Sequence, residues 1–179
     1  HDDNAYHNEG KPAEIKEFSW EYIPTHCIIS AAEWSQSVGT PLAKGKAVKD
    51  KNNKDSSYFY VDFEDKKTRV ITLDSYDYIV EENERGYARY SAETWDRLSD
   101  EQMKWFAETA LDPNKDGWNY IIASHNHLTD SGIVKTFGNS ETVCAILEAF
   151  NNKTAFESDE YGIKVDFTNN TSKAILSIF

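Results

Sequence analysis

Cysteine, long apolar runs and positive charge are all scarce in this 179-residue chain. The two cysteines, Cys27 and Cys144, lie far apart and match no metal or redox spacing. Nothing therefore supports a disulfide framework, and the redox compartment stays open. Cys27 follows His26, but chain neighbours do not make a nucleophile and its base, which removes the case for a cysteine hydrolase. No stretch approaches the ~20 apolar residues that a membrane helix needs. Lysine and arginine number 19 against 31 acidic residues, a formal net charge of −12. Such a surface repels duplex nucleic acid and anionic membranes. It does not argue against a small phosphate ester held by a metal, because an ion's own charge dominates its surroundings. A phosphate-cradling loop, a dinucleotide fingerprint and a Gly-x-Ser-x-Gly elbow are all missing. No targeting segment is visible either, so the compartment is not legible.

What is present is a globular composition, 39% hydrophobic and 13% aromatic, in a length that suits one domain, residues 1–179. Ile15, Phe18 and Tyr22 recur at helical spacing, and Pro24 ends that helix. Ser35 to Ser57 is polar, with five lysines between Lys44 and Lys54, and reads as a loop with a solvated face. Tyr58 to Phe63 and Thr68 to Asp74 are two β-rich runs across a polar turn, a hairpin whose second strand ends on an acid.

Ser99-Asp100-Glu101-Gln102 is a capping box: Ser99 accepts from a first-turn amide and Gln102 reaches back. Met103, Phe106, Ala107, Ala110 and Leu111 then mark the buried face of a helix. Trp118 to Ser124 is a strand that delivers His125-Asn126-His127. Asn139 or Ser140 caps another helix, buried along Val143, Ile146, Leu147 and Phe150, with the Cys144 thiol on its apolar part. Thr154 to Phe156 and Gly162 to Thr168 form a β pair, and Ser172 to Phe179 a final buried strand. Interleaved helices and strands give an α/β class, layered α+β.

Catalytic and metal-binding groups gather where strands end, because the backbone is rigid there while side chains face a crevice. His125, at the tip of an apolar strand, suits a metal ligand through its neutral imidazole. A turn histidine that satisfies its own hydrogen bonds is the competing reading. Asp112-Pro113-Asn114-Lys115-Asp116-Gly117 copies the first half of a calcium loop. The match fails at the twelfth position, Ala123, where a bidentate glutamate is needed, so the segment reads as a polar turn. Three Asn-x-Ser/Thr triplets near the end carry little weight in an Asn-rich chain.

The order of these pieces resembles the calcineurin-like metallophosphoesterases. That family carries Asp-x-His, Gly-Asp-x-x-Asp, Gly-Asn-His-Asp/Glu, an isolated His after an apolar strand, and Gly-His-x-His. His1-Asp2 looks like the end of the third motif, Ile121 to His125 like the isolated His, and Ala174 to Phe179 like the strand leading into the last motif. The hairpin from Tyr58 to Asp74 and the segment from Leu98 to Trp105 also look like the family's middle region. After His125 many members have proline, where this chain has Asn126 and His127.

The resemblance implies a partial β-sandwich flanked by helices, cut at both ends from a longer polypeptide whose flanking segments would complete it. It further implies two divalent ions (manganese, iron or zinc) and hydrolysis of a small phosphate mono- or diester by a metal-activated water. His125 would be a metal ligand, and His1 a general acid or charge stabiliser oriented by Asp2. Because the other ligand motifs are missing, the chain by itself is expected to hold metal weakly or not at all and to be inactive. The rival reading is a non-catalytic structural or binding module of the same fold, in a phage or cell-surface assembly.

Overall fold

The structure is a computed structural model that describes residues 46–54, 56–77, 96–129 and 136–178, with backbone alone at 176–178. The helix expected over 13–22, Cys27, and the site residues His1 and Asp2 lie outside the described residues. A five-stranded mixed sheet organises the fold, in the order β1-β2-β3-β4-β7. The expected hairpin is its centre: β2 (Phe59–Phe63) and β3 (Thr68–Leu73) pair antiparallel with Val61 opposite Val70. One tight turn, Glu64–Lys66, closes it, and Lys67 absorbs the reversal at φ 45°.

Ahead of the hairpin, β1 (Val48–Lys49) adds antiparallel to β2, inside the stretch that reads as loop in the sequence. Two residues are too few to show a period, and Val48 is recruited by the backbone groups that β2 offers. Beyond the hairpin, β4 (Asn119–Ser124) lies parallel to β3, and β7 (Lys173–Ile178) parallel to β4. The structure is thus mixed α/β, as expected.

Strand alternation divides the sheet into two unlike faces. Arg69, Ile71 and Leu73 of β3 stand beside Tyr120, Ile122 and Ser124 of β4, all buried. Two helices cover this side. α1 (Asp100–Trp105) widens into a π turn over Phe106–Ala110, and Met103, Phe106, Ala107, Ala110 and Leu111 are fully buried. α2 (Ser140–Asn152) buries Val143, Ile146, Leu147 and Phe150, and the Phe150 ring meets Tyr120 and Phe167 edge-on, each at 5.1 Å. Cys144 lies half-buried on α2, its thiol 3.5 Å from the Leu128 carbonyl. A small hairpin, β5 (Ala155–Ser158) and β6 (Ile163–Asp166), follows α2.

On the opposite face Val61, Val70, Thr72, Ile121 and Ala123 are only half-buried. The last strand departs from expectation here. The sequence reads it as buried, yet Ile175 is 56% exposed. Among the described residues β7 stands at the end of the sheet order, with β4 on one side.

Arg69 is the least expected core member, 2% exposed in the middle of β3. Its guanidinium makes a forked pair with Asp62, directly opposite on β2, at 2.7 and 2.9 Å. Nη1 donates to the Ala110 carbonyl at 2.8 Å, where the π turn leaves acceptors open. The plane also lies 3.6 Å over the Tyr60 ring. Lys115 reaches the same carboxylate at 3.0 Å.

The calcium-like segment is a turn. Asp112 Oδ1 accepts from the Asn114 amide at 2.9 Å, Asp116 accepts from Thr171 at 2.8 Å, and Gly117 takes φ 65°, a value side chains disfavour. No described helix is long and apolar enough to cross a membrane.

Candidate functional site: the strand-end rim

Parallel pairing fixes the geometry of one end of the sheet. Leu73 is level with Ser124, and Ser124 with Ile178, so β3, β4 and β7 finish together. The next residues, Asp74 and His125, therefore leave the sheet side by side. His125 is exposed, and its ring lies 6.2 Å from that of Tyr76. Ser75 ties the two chain ends together, its hydroxyl donating to Asn126 Oδ1 at 2.8 Å. His127 falls on a short parallel bridge to Thr136.

Behind this rim is a buried polar network. Gln102, fully buried on α1, brackets the Asp74 peptide: Oε1 accepts from its N–H and Nε2 donates to its carbonyl, both at 2.8 Å. The same Nε2 donates to Asp77 Oδ2 at 3.0 Å. Ser57 donates to the Asp74 carboxylate and Ser99 to that of Asp77. Ser99 also caps α1 as expected, accepting from the Gln102 N–H at 3.1 Å. The other half of the capping box is corrected: Gln102 does not reach back to the cap but across to β3.

Asn139 begins α2 without a side-chain cap. Its amide brackets Leu98 in the same two-pronged way, at 3.0 and 2.9 Å. The Ser124 hydroxyl is buried with no hydrogen-bond partner among the described residues.

Two tyrosines are pushed upward in pKa. Tyr58, which donates to Asp50 at 3.3 Å, is raised first by burial and then by the charges of Asp77 and Asp50. Tyr120 is raised mainly by burial, and donates to the Asp112 carbonyl at 2.8 Å. A folded value above the unfolded one gives stability that is complete below the ordinary tyrosine pKa, about 10, and is lost as the pH rises beyond it. The chain should hold its fold at pH 9 and lose stability steeply above pH ~10. Urea midpoints across pH 8–11 check this, and a flat profile would refute it.

The rim contains His125, the expected ligand, one residue past the β4 end that is level with the β3 end before Asp74, and its ring neighbours that of Tyr76. Among the described residues, no three His, Cys, Asp or Glu side chains are grouped so that they could hold a metal ion. The described residues therefore do not by themselves fit a two-metal centre. Sequence reasoning noted the acidic end of β3 but missed Gln102, Ser57 and Asp77 as its supports. The only signal was Gln102 itself, an amide on the first turn of a helix, and the capping motif accounted for it. Comparison with protein-family models, curated proteins and solved structures finds no match to this chain.

Proposed function

We propose that this chain is part of a metal-dependent phosphoesterase domain of the calcineurin-like kind, hydrolysing a phosphate mono- or diester. The observation that carries the reading is the parallel register of β3 and β4, which sets His125 next to Asp74 at one rim. The order of motifs in the sequence supports the same reading. Its finer form is a β-sandwich, with the half-covered face of the sheet turned toward a second layer.

His125 would contribute one imidazole to a divalent ion, and Tyr76 beside it would restrict the ring's orientation. Asp74 and Asp77 are held by Ser57, Ser99 and Gln102, which keeps the β3 end rigid behind that imidazole. His1 and Asp2 retain the acid and orienting roles that the resemblance implies. Bound ions would supply an activated water, and the remaining ligands would have to come from motifs that this sequence does not contain.

A specific observation favours the second reading, a non-catalytic module of the same fold. The acidic side chains just past the end of β3, Asp74 and Asp77, are buried and serve the backbone and neighbouring hydroxyls. One comparison separates the two. Phosphatase and phosphodiesterase turnover is measured with added manganese on this chain and on a polypeptide extended at both ends to include the missing motifs. The proposal expects no turnover from the former, activity from the latter, and loss of about a hundredfold or more on His125→Ala. A folded, extended protein without turnover would establish the module instead.

A further inference from the structure

The calcium-like turn carries a chemistry of its own. Asp116-Gly117 is the single Asp-Gly step in the chain, and no Asn-Gly step occurs. In such a step the backbone nitrogen that follows an aspartate can attack that residue's own side-chain carbonyl, and glycine, with no Cβ, leaves the approach unhindered. Both residues are exposed, and nothing lies within 4 Å of where a Gly117 Cβ would stand. Sequence and accessibility together mark the step as reactive.

The fold opposes that attack. Thr171, just ahead of β7, bridges the two reacting groups: Oγ1 accepts from the Gly117 N–H at 3.0 Å and donates to Asp116 Oδ1 at 2.8 Å. The nitrogen attacks along the direction of the proton it gives up, and that direction is taken by the Thr171 oxygen. The same peptide plane is held at its other end, where Lys67 Nζ donates to the Asp116 carbonyl at 3.1 Å. On either side of the step, Ser172 Oγ accepts from the Trp118 N–H at 2.9 Å and donates to the Lys115 carbonyl. Turning the Gly117 nitrogen toward Asp116 Cγ therefore breaks the Thr171 and Lys67 bonds together.

We propose that Asp116 is a site of isoaspartate formation that Thr171 keeps closed in the folded chain. The reaction is a cyclisation followed by hydrolysis. The Gly117 nitrogen bonds to Cγ of the Asp116 carboxyl group, whose hydroxyl oxygen leaves as water with the nitrogen's proton, and a succinimide ring forms. Solvent water then adds to either ring carbonyl and breaks its bond to nitrogen. Opening at Cγ restores aspartate. Opening at the main-chain carbonyl sends the backbone through Cβ and Cγ and frees the former carbonyl carbon as a carboxylate. The added backbone atom falls just ahead of Trp118, whose carbonyl accepts from the Lys173 N–H at 3.0 Å where β4 and β7 begin. Loss of the Thr171 bridge thus turns a slow chemical change into a displacement at the start of two strands. The inference stands whatever the rim catalyses.

The test incubates the wild type, Thr171→Ala, Thr171→Ser and Asp116→Glu in warm neutral buffer, folded and again in urea. Isoaspartate is located by peptide mapping and counted with an isoaspartyl methyltransferase and labelled S-adenosylmethionine. Folded Thr171→Ala should form it at residue 116 about tenfold faster than the wild type, the order expected when hydrogen bonds of modest net strength no longer oppose the attack. Folded Thr171→Ser keeps the hydroxyl and should match the wild type. In urea, where the bridge does not exist, these three should react alike, which separates the effect of the fold from that of the altered sequence. Asp116→Glu, whose longer side chain closes the ring poorly, should give no signal at this peptide in either state. Equal rates for the folded wild type and Thr171→Ala, a serine variant as fast as the alanine one, or product confined to other residues would overturn the proposal.

Discussion

Replacing Gln102 by leucine should destabilise the fold by roughly 3–5 kcal/mol, at about 1–3 kcal/mol for each buried group left unsatisfied. Leucine fills nearly the same volume, so packing is largely preserved. What disappears are the bonds to the Asp74 N–H, the Asp74 carbonyl and the Asp77 carboxylate. All three partners are buried with it, and water cannot replace the lost amide without opening α1 from β3. Gln102→Glu should be worse at neutral pH, because a carboxylate would then face both the Asp74 carbonyl and Asp77. Its stability should recover partly on acidification, as protonation restores a donor. Urea unfolding of the three proteins measures this, and a leucine variant within about 1 kcal/mol of the parent would show that the network is dispensable.

The second large effect is expected at Arg69. Arg69→Met keeps most of the stem and removes the guanidinium, and should cost about 3–5 kcal/mol, the range for breaking a buried pair. Two losses combine: the forked contact with Asp62, and the donor that satisfies the Ala110 carbonyl at the end of the π turn. Changing Arg69 and Asp62 together to apolar residues should return part of that cost, since no carboxylate is then left without its main partner.

The pair also sets an acid limit. Burial alone would raise the Asp62 carboxyl, but hydrogen bonds from Arg69 and Lys115 outweigh it and hold the group below its usual range. A lowered folded value gives stability that is complete above the ordinary aspartate pKa, about 4, and is lost as the pH falls through the folded value. Arg69→Met should therefore flatten the acid side of the stability profile as well as lower it.

Much of the fold was legible because it is written locally. The β2–β3 hairpin, the Ser99 cap and the apolar faces of both helices each follow from the pattern of one short continuous stretch of chain. β1 escaped because two residues carry no period. Arg69 escaped because an arginine in a strand normally faces water, and only the closeness of Asp62, Tyr60 and the π turn makes it a core residue. The candidate site divides in the same way. His125 at a strand tip could be read from the sequence, whereas its position beside Asp74 depends on a parallel pairing between segments some fifty residues apart. Gln102 shows the sharper limit, since a valid local motif explained the residue while its partners, Asp74 and Asp77, lie just past the end of β3.

Gln102, Asn139 and Asn151 each grip a backbone N–H and carbonyl with one uncharged carboxamide. An amide has no proton to lose near neutrality and attracts no counter-ion. The strand ends of this strongly acidic chain should therefore keep their spacing from dilute buffer to high salt, conditions under which ion-paired corners loosen. The β3 and β4 ends would then keep one geometry across salt concentrations, so the pairing of Ser75 with Asn126 should be as well formed in dilute buffer as at high salt.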